Sequence, residues 1–144
     1  MQNEAQRFSQ LLTRHHDVAC PSEHPGIPPV LSKILERGRA LPLRADVWLP
    51  ACEDDLGNAF LEKITKRFQG STTTPVRGSY ENQEGWIEIE TMWVITVFAA
   101  RDRLSDLGYF LKEAEELARQ LEQESLLCAV DVGQGLLPYL VFLN

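Results

Sequence analysis

Trp86-Ile-Glu-Ile-Glu-Thr-Met-Trp-Val-Ile-Thr-Val-Phe-Ala-Ala100 is the stretch on which the fold of this chain turns. It is dense in β-branched and aromatic residues, which favour strands. Ile87, Ile89, Thr91, Trp93, Ile95 and Val97 alternate onto one side and are apolar almost throughout, as a buried strand face should be. Glu88, Glu90, Met92, Val94, Thr96 and Phe98 occupy the other side, which starts acidic and turns apolar. Such a strand is open to water at its start and covered on both faces later, so it belongs in the interior of a sheet.

The period then changes. Leu107, Phe110, Leu111, Ala114, Leu117, Ala118 and Leu121 recur at steps of three and four, which predicts an amphipathic helix over Leu104–Glu124. Ser105 is the expected N-cap, and Asp106 places a negative charge in the first turn, where the helix dipole favours it. Leu126 to Val132 reads as a short buried strand closed by Gly133 and Gly135. Strand, helix and strand joined by short connections define a βαβ unit whose two strands run parallel.

Upstream, Leu43 to Leu49 alternates as a strand and Pro50 stops it. Asp54 or Asp55 can cap a helix over Leu56–Phe68, with Phe60, Leu61, Ile64 and Phe68 on its inner side and Gly70 just past its end. Ser71 to Tyr80 reads as a strand that Pro75 confines to an edge. Glu81-Asn-Gln-Glu-Gly85 turns it into the long strand as a hairpin. The order βαββαβ is that of an α+β ferredoxin-like sandwich, an antiparallel sheet of strand order 4-1-3-2. Leu136 to Leu143 offers a further C-terminal edge strand.

Residues 43–144 thus form one domain, and residues 1–42 an appended N-terminal arm. The arm holds a helix over residues 1–16, a proline-rich connector and a short helix from Val30 to Arg37. Val30, Leu31, Ile34 and Leu35 supply that second helix with an inner face.

The 144 residues carry a net charge of −7. Residues 1–44 hold six basic and four acidic groups, and residues 45–144 hold eight and 17, so the main body is strongly acidic. Binding along a nucleic-acid backbone needs clustered Lys and Arg and is therefore disfavoured. No apolar run approaches the length that spans a bilayer, and the first residues are too polar for a secretory signal, so a cytoplasmic protein is expected. Cys20, Cys52 and Cys128 are odd in number and widely spaced, which argues against a disulfide framework.

The candidate sites are few. His15, His16, Cys20 and His24 are metal-compatible groups, but their spacing fits no standard zinc motif; a polar connector is the plainer reading. Glu53, Asp54 and Asp55 lack the pattern of a calcium loop and read as helix capping. Ser71 to Thr74 follow a single glycine with no lysine after them, so an edge strand is preferred to a phosphate loop. Asp46, Glu88 and Glu90 fall on one sheet face and, with Arg77 and Tyr80, are the polar groups for a small ligand. No arrangement of Ser, His and Asp and no nucleophile elbow is present, so neither a catalytic residue nor a cofactor is implied.

Both helices of such a fold cover one sheet face. Trp48, Met92, Val94 and Phe98 then lie on the other, too much apolar surface to leave in water. A homodimer, another protein partner, the N-terminal arm or a ligand would cover it.

From Arg44 to Val132 the chain resembles a family of uncharacterised bacterial proteins with a ferredoxin-like domain. The likeness lies in motif order: a strand, a helix ending near Lys66-Arg-Phe68, a Thr-rich strand, a Trp-bearing turn, a long apolar strand, and a helix running into Gln123-Glu-Ser-Leu-Leu127. That resemblance implies the fold and assigns no catalytic residue. Two functions follow as expectations: a non-catalytic interaction module acting as a homodimer, or a binder of a small ligand, calcium or zinc, or an enzyme, using a cleft between arm and open sheet face.

Overall fold

The computed structural model describes residues 26–143. The helix expected over residues 1–16 and the His15, His16, Cys20, His24 cluster lie outside them. In chain order the elements are α1 (Pro29–Glu36), β1 (Leu43–Pro50), α2 (Asp55–Phe68), β2 (Thr72–Glu81), β3 (Ile87–Ala99), a 3-10 turn (Arg101–Arg103), α3 (Leu104–Gln120), β4 (Ser125–Asp131) and β5 (Leu137–Phe142). The fold is α+β, with five strands in the order β2-β3-β1-β4-β5, every neighbouring pair antiparallel. This order differs from the expected 4-1-3-2 by one strand, β5, added outside β4. Strand β3 is interior and β2 is an edge. Because β3 and β4 each run antiparallel to β1 between them, they are parallel to each other.

Both longer helices pack on one sheet face. Leu43, Ala45, Val47 and Leu49 of β1 and Ile95, Val97 and Ala99 of β3 meet Phe60 and Ile64 of α2 and Leu107, Phe110, Ala114, Leu117 and Ala118 of α3. Phe110 is fully buried at the centre, its ring 6.2 Å from Phe60 and edge-on to Phe68 at 6.0 Å. The small residues Ala114 and Ala118 let α3 lie close to the sheet.

Helix ends follow local chemistry. Asp54 caps α2, its Oδ1 accepting from the backbone N–H of Leu56 at 3.0 Å and Gly57 at 3.1 Å. Gly57 is required there: a Cβ would stand 1.7 Å from the carbonyl oxygen of Cys52. At its other end Gln69, and not Gly70, takes the left-handed conformation, with φ of 60°. Ser105 does not cap α3, which grows directly out of the 3-10 turn with Arg103 at the cap position. That helix stops at Gln120, short of Glu124, because Glu122 turns left-handed at φ 58°. The N–H of Gln123 then reaches the Ala118 carbonyl at 2.9 Å and that of Glu122 the Arg119 carbonyl at 3.0 Å, a Schellman closure.

Two expectations about burial fail. Helix α1 buries none of its residues: Val30 is 72% exposed and Ile34 52%. Its apolar stripe therefore does not cover the open sheet face. Ile87 and Ile89 are also exposed, because β1 pairs with β3 only from Met92 to Ala99. The start of β3 pairs with β2 alone, and this two-stranded ribbon overhangs the helices.

An ion cluster ties the two helices together. Asp106, nearly buried in the first turn of α3, accepts from Arg67 Nε of α2 at 2.8 Å and pairs with Arg103 Nε at 2.5 Å. Burial opposes ionisation of Asp106, but the two guanidiniums outweigh it and hold the carboxyl below its ordinary value of 3.8. A depressed folded-state pKa stabilises the fold above the unfolded value and is lost as pH falls through the folded one. Acid titration followed by circular dichroism should therefore show stability declining below about pH 4. In Asp106→Asn that decline should flatten, with a loss of about 1–3 kcal/mol at neutral pH. Phe110→Ala should cost more, about 3–5 kcal/mol in denaturant unfolding, because the cavity it leaves lies between two helices and the sheet.

Candidate functional site

The face of the sheet away from the helices carries Asp46, Tyr80, Glu88 and Glu90 of the groups singled out from the sequence. Register places Trp48 opposite Val94, Asp46 opposite Thr96 and Arg44 opposite Phe98, with Leu127 and Ala129 of β4 on the far side of β1. Large apolar side chains remain open to solvent on this face: Phe98 is 45% exposed, Leu140 55% and Phe142 74%. Trp48, Met92 and Val94 are partly covered.

In the middle of this surface sits a carboxylate that is 1% exposed, Asp46. Arg44 grips it with two parallel bonds, Nε to Oδ1 at 3.1 Å and a terminal nitrogen to Oδ2 at 3.0 Å. Thr96 donates its hydroxyl to Oδ1 at 2.6 Å. The Arg44 guanidinium also lies over the Phe98 ring, 5.8 Å from its centre. A buried charge on a sheet is tolerated only with such full pairing. Arg44 and Thr96 were not singled out from the sequence. Arg44 was findable, since a residue two before Asp46 on a strand must share its face.

Glu88 and Glu90 share that face but not that place. Glu88 lies eight residues along β3 from Thr96, roughly 26 Å away at strand rise. The expected grouping of Asp46 with the two glutamates is corrected on this point: the alternation sets the face, and the register sets opposite ends. Glu88 instead belongs to the hairpin. Tyr80 donates its hydroxyl to Oε2 at 2.5 Å, and Asn82 donates its side-chain N–H to Oε1 at 2.8 Å. Asn82 is itself fixed by accepting the N–H groups of Glu84 and Trp86, each at 3.0 Å. Hydrogen bonding by Tyr80, then by Asn82, draws the Glu88 carboxyl below its ordinary value. The same bond to Glu88 pushes the Tyr80 phenol up.

Arg77 stands opposite Thr91, so alternation puts it on the other sheet face from Tyr80, and it joins neither group. Glu90 faces Gly78, where the missing side chain makes room for Met92: a Cβ on Gly78 would come 2.8 Å from the Met92 sulfur. Thr72 to Thr74 are strand residues of β2. Asp54, besides capping α2, accepts a hydrogen bond from the Cys52 thiol at 2.9 Å. Burial first, and that bond second, push the Cys52 thiol up, away from the reactive thiolate. Cys128 is buried and raised by burial alone. Among the described residues no three His, Cys, Asp or Glu side chains converge to hold a metal ion, and no helix is long and apolar enough to cross a membrane.

No protein-family model matches this chain, and no curated protein is similar to it in sequence. Solved structures that share its fold include two of a phage SAM lyase. A phage SAM lyase in complex with S-methyl-5'-thioadenosine superposes with a TM-score of 0.51 at 15% identity, covering 71% of this chain and 92% of that one. The phage SAM lyase in its apo state also gives 0.51, at 16% identity, covering 69% and 89%. At such identities the likeness is one of fold.

The hairpin triad makes a direct prediction. Tyr80→Phe removes the main donor to Glu88, so the Glu88 carboxyl should titrate closer to its ordinary value of 4.5. Carbon-detected NMR titration of the side-chain carboxyl reads this, and an unchanged titration in the variant would show that the bond does not hold in solution.

Proposed function

We propose that this chain is a cytoplasmic interaction module of ferredoxin-like architecture that acts, without catalytic chemistry of its own, as a homodimer joined through its open sheet faces. The carrying observation is the mismatch on that face: exposed Phe98, Leu127, Leu140 and Phe142 share it with a carboxylate already neutralised by Arg44. Apolar surface of this kind marks interaction sites. An identical copy offers a self-complementary face, and two-fold dimers dominate homo-oligomers. Because Arg44 neutralises Asp46 within one chain, closing two copies together leaves that buried carboxylate paired.

Trp48, Met92, Val94 and Phe98 form the centre of that interface. Wild-type protein should sediment as a dimer, and Phe98→Asp should sediment as a monomer while keeping its circular dichroism. A wild-type monomer across the accessible concentration range would sink this reading.

A second reading takes its support from the fold match and from the Tyr80–Glu88–Asn82 group: a binder of a small adenosine-like ligand, or an enzyme acting on one. The two neighbours described above are phage SAM lyase, and one holds S-methyl-5'-thioadenosine. Calorimetric titration with SAM and with S-methyl-5'-thioadenosine separates the readings. Saturable heat that disappears in Glu88→Gln would favour the second; no heat with either compound would leave the interaction module.

A further inference from the structure

A cavity of about 240 Å³ opens where the end of β3 meets the last turn of α2 and the start of α3, away from the hairpin. Three arginines, Arg39, Arg67 and Arg103, are among the residues that line it, against one acid, Asp106. In a chain of net charge −7 this is a local excess of positive charge. Asp106 engages Arg67 and Arg103 through their Nε atoms, and a guanidinium carries further donors in a fixed fork. The plane of Arg67 is held from the side as well, 4.4 Å over the ring of Tyr109. Arg39 reaches the cavity from the segment before β1. Its only salt bridge among the described residues, with Asp102, joins two largely exposed side chains, and such a pair gives way easily.

A helix clamp would need Arg67, Arg103 and Asp106 alone. It accounts for neither the third arginine nor the open volume beside it. Two preset arginines and one at the rim are what a tetrahedral oxyanion requires, since planar guanidiniums bind phosphate with paired bonds. Phe68 adds an aromatic residue to the lining. The volume is below that of pockets enclosing a drug-sized ligand, so it suits an anionic head group with a small attachment.

We propose that this cavity binds a phosphate group among Arg39, Arg67 and Arg103, carried on a small molecule whose uncharged part rests against Phe68. Asp106 is a positioning residue that orients two of the three guanidiniums. The site stands independently of the dimer, because every polar group named for it comes from one chain.

Calorimetry on the full chain tests this with two probes, inorganic phosphate and phenyl phosphate, at constant ionic strength set by chloride. Saturable binding is expected, with phenyl phosphate the tighter. Arg39→Gln, at an exposed position where folding is not at stake, should weaken it about tenfold. Arg67→Lys keeps the charge near Asp106 but loses the fork and should weaken it at least as much. Arg119→Gln, whose partner is Glu115 on α3, should bind as wild type does. Equal affinity for the two probes would keep the arginine site but overturn the aromatic contact, leaving a site for the free ion. No saturable binding of either probe, or affinities that Arg39→Gln and Arg67→Lys leave untouched, would overturn the proposal.

Discussion

A sheet with helices on one side only must do something with its other side, and that constraint organises this molecule. Phe110 and its neighbours bury the helix side of β1 and of Ile95, Val97 and Ala99 in β3. Nothing among the described residues does the same for Trp48, Val94 and Phe98. Hydrophobic burial is proportional to area and indifferent to direction, so the two faces exert the same demand. Only one of them is met within residues 26–143.

The Asp46 cluster shows how the open face is prepared. An acid in the middle of a sheet would ordinarily oppose any covering layer, because desolvating an unpaired carboxylate is costly. Arg44, two residues away on the same strand, and Thr96, on the neighbouring strand, occupy its oxygens. The result is a buried carboxylate that is already paired, with Trp48, Val94 and Phe98 beside it on the same face. Such a surface can be covered without breaking a bond, and the bidentate geometry gives it a fixed register point.

Periodicity revealed the elements and hid their surroundings. The alternation in Trp86–Ala100 and the three-and-four spacing of Leu107 to Leu121 are local, and both gave the right element in the right place. The interior position of β3 and the edge position of β2 followed from Pro75 and from apolar character on both faces. Burial of Ile87 and Ile89 did not follow, because it depends on how far β1 extends beside them, and β1 stops at Pro50. The pairing of Arg67 with Asp106 spans 39 positions and carries no spacing signal. The proximity of Glu88 to Tyr80 was legible from the hairpin; its distance from Asp46 needed the register.

The arginine cavity and the open face share one residue. Phe98 ends the apolar row of β3, lies under Arg44 on the open face, and is also among the residues that line the cavity. Its ring belongs to the face that β1 and β3 turn away from the helices, whereas Arg67, Phe68 and Asp106 approach from the helix side. A layer on the open face and an anion in the cavity would therefore meet the same strand end from opposite sides. By thermodynamic reciprocity any effect of one on the other would run equally in reverse.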